Sequence, residues 1–591
     1  MKIAIAQLRV KANNPQANFE MIQEIVEKSK GKADLIVFPE LAVGGYLVGD
    51  RMNNQSNIDE LMAYNDRIRL LSDEIGIVWG NIYQKNDRLY NAAFFAYKGE
   101  WVERANHESA GVYMKHLLPN YGIFDDKRYF EPGDHNFEPF IFKGDRISIQ
   151  VCEDLWDKSS DLKPTELMMQ HSPDLMINIS CSPWHKHKES MRLEEIRRQN
   201  LDIPFIYVNA TGMQNNGKNV VLFDGGSMVV SSESVTYLDA NFKQTFDIVD
   251  LKVQVTNKPS YEDKMYHALI SAIRYFDEEA LSYGPKWIVG VSGGLDSSVS
   301  IALLVKALGK DRVVGVTMPS QFNRDITKNN AYHLSKVLGF KFLEIPIAAM
   351  TDATVESMKF GAYSDVTGLA FENVQARLRG HTLMTVSSLE NGVVMNNGNK
   401  IEVALGYATL YGDAIGALAI LGDLTKMEVG MIGRTLNRIE GQEIVPENLI
   451  PVELENRVDW EFAPSAELAQ DQFDPMKWGY HDLLIDELMH GRLGIVLNSY
   501  LDGSIYESNL GKYLASYGLD KGEAFVEDIQ WVLKTMNTAV YKRVQMPPIV
   551  MVSNCAFGTV YRESQLRLHL TQTEQNLMNQ IKNSITLKPS Y

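Results

Sequence analysis

Cysteine is scarce: three residues in 591 cannot build a disulfide framework. Cys152, Cys181 and Cys555 also lack the CxxC spacing of a zinc site, and such usage fits a reducing cytoplasm. Long apolar runs are missing as well. The start of the chain has a short apolar stretch that ends at Arg9 and Lys11, and no segment approaches the roughly eighteen apolar residues of a membrane span. A soluble protein without a targeting segment is predicted. Positive charge is in deficit, with 58 Lys and Arg against 75 Asp and Glu, a net charge of −17 and a pI of about 5.3. This disfavours nucleic acid and anionic membranes as partners and leaves small phosphorylated ligands open. Internal repeats, low-complexity tracts and long charge runs are absent. What remains is an ordinary globular composition, 45% hydrophobic and 23% charged, at a length that requires more than one core.

Short β-branched runs alternate with amphipathic stretches from the first residues. Ile3–Gln7 reads as a strand, Asn18–Ser29 as a helix and Asp34–Phe38 as a strand; further strands are expected at Ile77–Ile82, Ala92–Tyr97, Ile147–Cys152, Leu175–Ile179, Phe205–Asn209 and Ser227–Val230. So many consecutive strands predict paired sheets with outer helices, an α-β-β-α four-layer sandwich. The pattern lapses at 247–260, where Asn257, Lys258 and Pro259 break it and Ser260 with Asp263 starts a helix. We therefore expect a first domain at 1–246, a linker at 247–260 and a second domain at 261–591. Beyond the linker, Trp287–Val291, Val313–Thr317 and the helices Ser297–Leu308 and Asp325–Leu338 predict a doubly wound parallel-sheet α/β domain.

The strand Trp287–Val291 runs directly into Ser292-Gly293-Gly294-Leu295-Asp296-Ser297-Ser298. Two glycines let the backbone turn and approach an anion, the helix N-terminus offers unpaired N–H groups, and three serines add hydroxyls: such a loop holds phosphate. Phosphate would repel Asp296 unless a cation lay between them, which argues for Mg²⁺. The loop matches neither GxxxxGK[ST] nor GxGxxG. It resembles the SGGxDS loop of the N-type ATP pyrophosphatases, which split ATP between the α and β phosphates and adenylate a carboxylate or carbonyl.

Within that group, Glu372-Asn373-Val374-Gln375-Ala376-Arg377-Leu378-Arg379 resembles a segment of NAD synthetases, as do Gly398-Asn399-Lys400-Ile401-Glu402, the stretch 406–413, Asp423–Lys426 and 541–548. Arg377 and Arg379 suit bidentate pairing with oxyanions, and Glu402 supplies a second carboxylate for the metal opposite Asp296. The resemblance implies ATP contacts from Ser292, Gly293, Gly294, Asp296, Ser297, Ser298, Met318 and Asn397. It implies deamido-NAD contacts from Asn373, Gln375, Arg377, Glu402, Asp413, Lys426 and Lys542. Two departures stand out: Asn397 replaces a common Thr, and a basic stretch after Ala556–Gly558 is replaced by Thr559–Ser564.

The first half carries its own constellation: Phe38-Pro39-Glu40-Leu41, Lys115 ahead of Leu117-Leu118-Pro119-Asn120-Tyr121, and Cys152-Glu153-Asp154-Leu155-Trp156 at a strand end. A thiol exposed at a strand end suits a nucleophile, Glu40 can serve as its base, and Lys115 can stabilise an oxyanion. The order Glu, Lys, Cys with these flanks resembles the nitrilase superfamily, and within it the glutamine-amidase domain of glutamine-dependent NAD synthetases. That resemblance implies glutamine binding by Tyr121, Phe124, Glu153 and Ser182. Cys181 and Cys555 read as packing residues, and His185 and His187 as structural or solvated.

An amidase releases ammonia and an adenylating enzyme consumes a nucleophile, so one half is expected to feed the other. Free ammonia is largely protonated at neutral pH, which favours a sheltered channel. The resemblance implies ATP-dependent amidation of deamido-NAD, with Mg²⁺ as cofactor, and a homo-oligomer paired through its synthetase domains, an octamer in some relatives. The alternatives are another glutamine-fed adenylating enzyme, similar to GMP synthetase, and a non-catalytic nucleotide sensor.

Overall fold

The computed structural model describes residues 1–105, 111–232, 234–238, 241–249, 260–361, 363, 365–469 and 474–583. The chain divides into two units, Met1–Ser271 and Ala272–Tyr591. Among the described residues no helix is long and apolar enough to cross a membrane.

The first unit holds two facing sheets. One contains β1 (Ile3–Gln7), β2 (Leu35–Val37), β3 (Gly76–Lys85), β4 (Arg88–Tyr97), β5 (Glu100–Trp101) and β6 (Val112–Met114). The other contains β7 (Phe140–Phe142), β8 (Asp145–Val151), β9 (Leu175–Ser180), β10 (Phe205–Asn209), and, after a hairpin of β11 (Thr211–Asn215) and β12 (Asn219–Asp224), β13 (Met228–Val230) and β14 (Val235–Tyr237). A last strand, β15 (Thr245–Val249), returns to pair antiparallel with β1, so the first sheet runs β15-β1-β2-β3-β4-β5 with β6 beside β4; the second runs β14-β13-β10-β9-β8-β7. Ile3, Ile5, Val37, Val78 and Phe95 of one sheet pack with Ile149, Val151, Ile177, Ile179 and Tyr207 of the other in a single buried core. With outer helices such as Pro15–Ser29 and Lys188–Arg198, this is the expected four-layer arrangement.

The expected linker is only partly described. Its residues 247–249 form the end of β15, and 250–259 lie outside the described residues. The helix Tyr261–Glu279 begins in the first unit, because Lys264 is tied there by ion pairs to Asp224 and Glu189. Ser260 caps it as expected, its hydroxyl accepting the Asp263 N–H at 3.2 Å.

The second unit carries six parallel strands in the order Ile549–Met551, β20 (Leu418–Ala419), β19 (Gly392–Asn396), β16 (Lys286–Gly290), β17 (Val313–Thr317) and β18 (Lys341–Glu344). The chain leaves β16 toward β17 and β18, then returns to β19 on the other side. The strand order therefore reverses between β16 and β19, and the crevice beyond their carboxyl ends is where open α/β sheets bind ligands. Both Ser292–Ser298 and Asn397–Glu402 lie there. A helical body follows, with Tyr480, Leu484, Leu497, Phe525 and Ile529 in its core.

Candidate active sites

In the first unit β8 ends at Val151, and Cys152 opens the 3-10 turn Cys152–Leu155 with φ of +43°. A non-glycine residue in the left-handed region is strained and persists only where its surroundings over-determine it. Asp154 supplies that constraint: its carboxylate accepts the N–H groups of Val151 (3.2 Å), His116 (3.0 Å) and Leu117 (2.8 Å) and the Tyr113 hydroxyl (2.9 Å). The expectation of a thiol exposed at a strand end is corrected here, since the turn folds Cys152 inward and leaves it 5% exposed. Burial, then the negative charge of Glu40, pushes the thiol well above its ordinary range. Such a shift favours the protonated thiol, so a nucleophilic role for Cys152 would call for a base.

Glu40 and Lys115 are fully buried beside it. Lys115 Nζ donates to Glu40 Oε1 and to Asp126 Oδ2, each at 2.8 Å. Asn91 Nδ2 and the Cys181 N–H, both at 2.7 Å, hold the two oxygens of Glu40, and the Tyr46 hydroxyl donates to Asp126. Burial opposes the charge on Lys115, but Asp126 and Glu40 outweigh it and raise its pKa well above the usual range. The two carboxylates that share the ammonium put a proton acceptor beside the thiol. Cys181 is buried as expected, and its backbone also orients Glu40.

The residues expected to hold glutamine lie around this centre. The Tyr121 hydroxyl donates to Glu153 Oε1 at 3.0 Å, and Phe124 stands edge-on to both Tyr121 and Tyr46. Burial pushes Glu153 up to about 7. Ser182 is buried; its N–H donates to Asn209 Oδ1 (2.8 Å), and its carbonyl accepts from Arg192 (3.0 Å). Sequence reasoning missed Asp126 and Lys188. The Lys188 ammonium lies 4.0 Å from the centre of the Trp156 ring, and burial, reinforced by Arg192, lowers it to about 8 against the pull of Cys152 and Glu153. The neighbouring His185 is buried and bonded to the Lys186 carbonyl, and the exposed His187 stacks on Tyr261.

In the second unit Gly293 has φ of +81°, and a Cβ there would stand 1.9 Å from the Thr327 carbonyl oxygen, so only glycine fits. Gly294 caps the helix Leu295–Leu308. The hydroxyls of Ser297 (3.1 Å) and Ser298 (2.7 Å) are turned onto the Gly294 carbonyl, while Ser292 Oγ accepts the Gly294 N–H at 3.3 Å. Asn397 Nδ2 bonds the Gly290 carbonyl at 3.0 Å across the β16–β19 crevice.

Asp296 faces Glu402. Asn399 ties them together: its side chain donates to Asp296 Oδ1 (3.1 Å) and its N–H to Glu402 Oε2 (3.3 Å). Burial, then Asp296, raises Glu402 to about 8. Lys426, expected among dinucleotide contacts, is bonded to Asp296 and lies 3.7 Å from Glu402.

The helix Gly368–Leu389 carries Asn373, which accepts the Thr409 hydroxyl (2.7 Å), and Gln375, which donates to the Leu468 carbonyl (2.9 Å); Arg377 is exposed. Arg379 is lowered to about 10 by burial and bonds the Met318 carbonyl at 3.3 Å. Asp413 accepts the Thr409 N–H, and Lys542 donates to the carbonyls of Gly406 and Ala408. Arg543, in the same 541–548 stretch, is held within the protein. It is buried, and its Nε donates to both oxygens of Glu563, a residue of the divergent Thr559–Ser564 stretch.

The carbon-nitrogen hydrolase family matches residues 2–256, and the NAD synthase family matches residues 273–499. The glutamine-dependent NAD(+) synthetase of Thermotoga maritima is 30% identical across 95% of this chain and 98% of its own length. The chain belongs to the glutamine-dependent NAD(+) synthetase family. Another member, from Acinetobacter baylyi, is 29% identical over 94% of this chain and 96% of its own. The solved glutamine-dependent NAD+ synthetase of Acinetobacter baumannii, in complex with ADP, superimposes with a TM-score of 0.70 at 27% identity, covering 95% of this chain and 97% of that one. The counterpart from Cytophaga hutchinsonii, 16% identical, shares the fold with a TM-score of 0.77 over 99% of this chain and 100% of that one. As a family member, the enzyme carries its amidase and ligase chemistry on one polypeptide.

Proposed function

We propose that the enzyme converts deamido-NAD to NAD with ATP, taking nitrogen from glutamine. The observation that carries this reading is the buried Glu40–Lys115–Asp126 cluster beside the strained Cys152 turn, in a chain that also holds an anion loop at a topological switch point. Cys152 attacks the glutamine side-chain amide as Glu40 takes the thiol proton. Lys115 stabilises the oxyanion, and the same proton leaves with nitrogen as ammonia. Water then attacks the thioester and releases glutamate. Glu153 and Tyr121 receive the α-ammonium of glutamine, Lys188 its α-carboxylate, and Phe124 and Ser182 close the pocket.

In the second unit the N–H groups around Gly293 and Gly294 cradle the triphosphate. Ser292, Ser297, Ser298, Met318 and Asn397 complete the ATP site, while Asn373, Gln375, Arg377, Glu402, Asp413, Lys426 and Lys542 receive the dinucleotide. Within the described residues the Gln375 Oε1 and Asn397 Oδ1 atoms are buried without hydrogen-bond partners, acceptors that amino groups of bound nucleotides would satisfy. The nicotinate carboxylate attacks the α-phosphate of ATP, pyrophosphate leaves, and ammonia displaces AMP from the adenylate.

Asp296 and Glu402 fit Mg²⁺. They face each other and share one ammonium, an oxygen pair of the kind a divalent cation takes. Two carboxylates would leave the other positions of a magnesium ion to water and phosphate oxygens. Bound there, magnesium neutralises charge on the triphosphate. The three free cysteines support a cytoplasmic location. We place ammonia transfer in a sheltered path and the assembly in a homo-oligomer of synthetase domains, which light scattering tests.

Incubation with ATP, Mg²⁺, deamido-NAD and glutamine is expected to yield NAD, AMP, pyrophosphate and glutamate. A GMP synthetase-like enzyme would ignore deamido-NAD, and a nucleotide sensor would make no AMP.

A further inference from the structure

Lys426 stands where a cation would sit. Its ammonium is bonded to Asp296 Oδ2, lies 3.7 Å from Glu402 Oε1 and stands 5.1 Å from the centre of the Trp478 ring. The side chain is 3% exposed. Its backbone is fixed as well: the Lys426 N–H donates to Asp482 Oδ1 at 2.7 Å, and Asp482 Oδ2 accepts the Gly479 N–H at 2.7 Å. One buried carboxylate thus joins the start of the helix Lys426–Glu440 to the turn that carries Trp478. The ammonium is held at both ends of the residue, against the same two carboxylates a divalent ion would use.

From this geometry we infer that Lys426 is a built-in counter-ion that competes with the metal for Asp296 and Glu402. The inference rests on the reading of those two carboxylates as the magnesium ligands. A free divalent ion can bind them only by displacing the ammonium. A buried ammonium stripped of its carboxylates is strongly disfavoured, so free metal alone binds weakly. A triphosphate arriving with the metal changes the balance, because its oxygens offer the displaced ammonium new anionic partners at the Gly293 loop. Metal entry is therefore conditional on nucleotide, and by linkage the nucleotide gains the same factor in affinity from the metal.

Mn²⁺ is a paramagnetic probe for this site, and its binding to the full chain can be read by electron paramagnetic resonance without nucleotide and without turnover. Lys426→Met is expected to bind free Mn²⁺ about tenfold more tightly than the wild type or better. Lys426→Arg, which keeps the charge, is expected to stay near the wild type. Adding Asp296→Asn to Lys426→Met is expected to abolish the gain, which locates it at these carboxylates. Lys426→Gln serves in place of Met if circular dichroism shows that the Met variant does not fold. Equal or weaker free Mn²⁺ binding in the neutral variant overturns the inference. The ligand assignment is tested separately, by Mn²⁺ binding to the wild type with a non-hydrolysable ATP analogue. If Asp296→Asn leaves that binding intact, the assignment of the metal ligands is wrong and the counter-ion role falls with it.

Discussion

Lys115 and Glu40 are separated by 75 residues in the chain and share a 2.8 Å hydrogen bond, both side chains fully buried. Two buried charges are tolerated only when well paired, and this pair is bonded at every side: Asn91 and Cys181 on Glu40, Asp126 on Lys115. In the proposed mechanism this bonding fixes where the thiol proton goes and where the oxyanion forms. It also makes the amidase centre self-contained within the first unit.

Cys152→Ala is therefore expected to lower glutamine-dependent NAD formation by roughly 10³-fold or more, while added ammonium salts still support synthesis. Loss of both activities would contradict independent chemistry at the two centres. NAD formation measured with each nitrogen source separates the cases.

Asp126→Asn removes one of the two carboxylates on Lys115. Glutamine hydrolysis is expected to fall about 10²-fold in kcat, with little change in the KM for glutamine, because Lys115 loses its orientation and not the substrate pocket. Ammonia-dependent synthesis is expected to be unchanged. A variant in which only KM changed would place Asp126 in substrate binding instead.

The pH dependence follows from Glu153 and Lys188. Burial raises Glu153 to about 7, so it holds an α-ammonium only above that pH; burial lowers Lys188 to about 8, so it holds an α-carboxylate only below that one. The KM for glutamine is expected to be lowest between about pH 7 and 8. Glu153→Gln should flatten the acid limb and Lys188→Met the alkaline limb. For stability the sign of the Glu153 effect is reversed. A folded-state value above the unfolded one stabilises fully at low pH, and this contribution is lost as pH rises through about 7. Glu153→Gln should thus gain stability relative to the wild type above pH 7, as read by denaturant unfolding.

Gly293→Ala places a methyl group 1.9 Å from the Thr327 carbonyl oxygen at a φ of +81°. The loop must move, at a cost of about 1–3 kcal/mol or more. AMP formation is expected to be lost, and glutamate formation from glutamine to persist. Retained AMP formation would show that the loop does not hold the triphosphate.

Much of the fold was legible because periodicity reports burial. Val313–Thr317, Phe205–Asn209 and Asp325–Leu338 fall where the pattern puts them, and Ile3–Gln7 has every residue buried, as a strand inside a layered unit requires. Three features were not legible, each for a tertiary reason. The burial of Cys152 depends on Asp154 gathering N–H groups from His116 and Leu117, which lie far away in sequence. Asp126 stands beside Asp125 in sequence, and only the fold turns one of them onto Lys115. Lys188 opens a helix rich in charged residues, and nothing local reveals that it lies over Trp156. A local signal did exist for the β11–β12 hairpin, since Asn216-Gly217 is a turn pair. Helix Gly368–Leu389 separates the two arginines of its motif: Arg377 is exposed, and Arg379 donates to the Met318 carbonyl.

The most direct test that ammonia released at the Cys152 centre reaches the adenylated dinucleotide is isotopic. The wild type is supplied with ATP, Mg²⁺, deamido-NAD and glutamine labelled with ¹⁵N at the side-chain amide, in the presence of excess unlabelled ammonium, and the NAD formed is weighed by mass spectrometry. The account predicts that the nicotinamide carries ¹⁵N and that AMP appears in equal amount. NAD carrying mainly unlabelled nitrogen, or ADP in place of AMP, would contradict it.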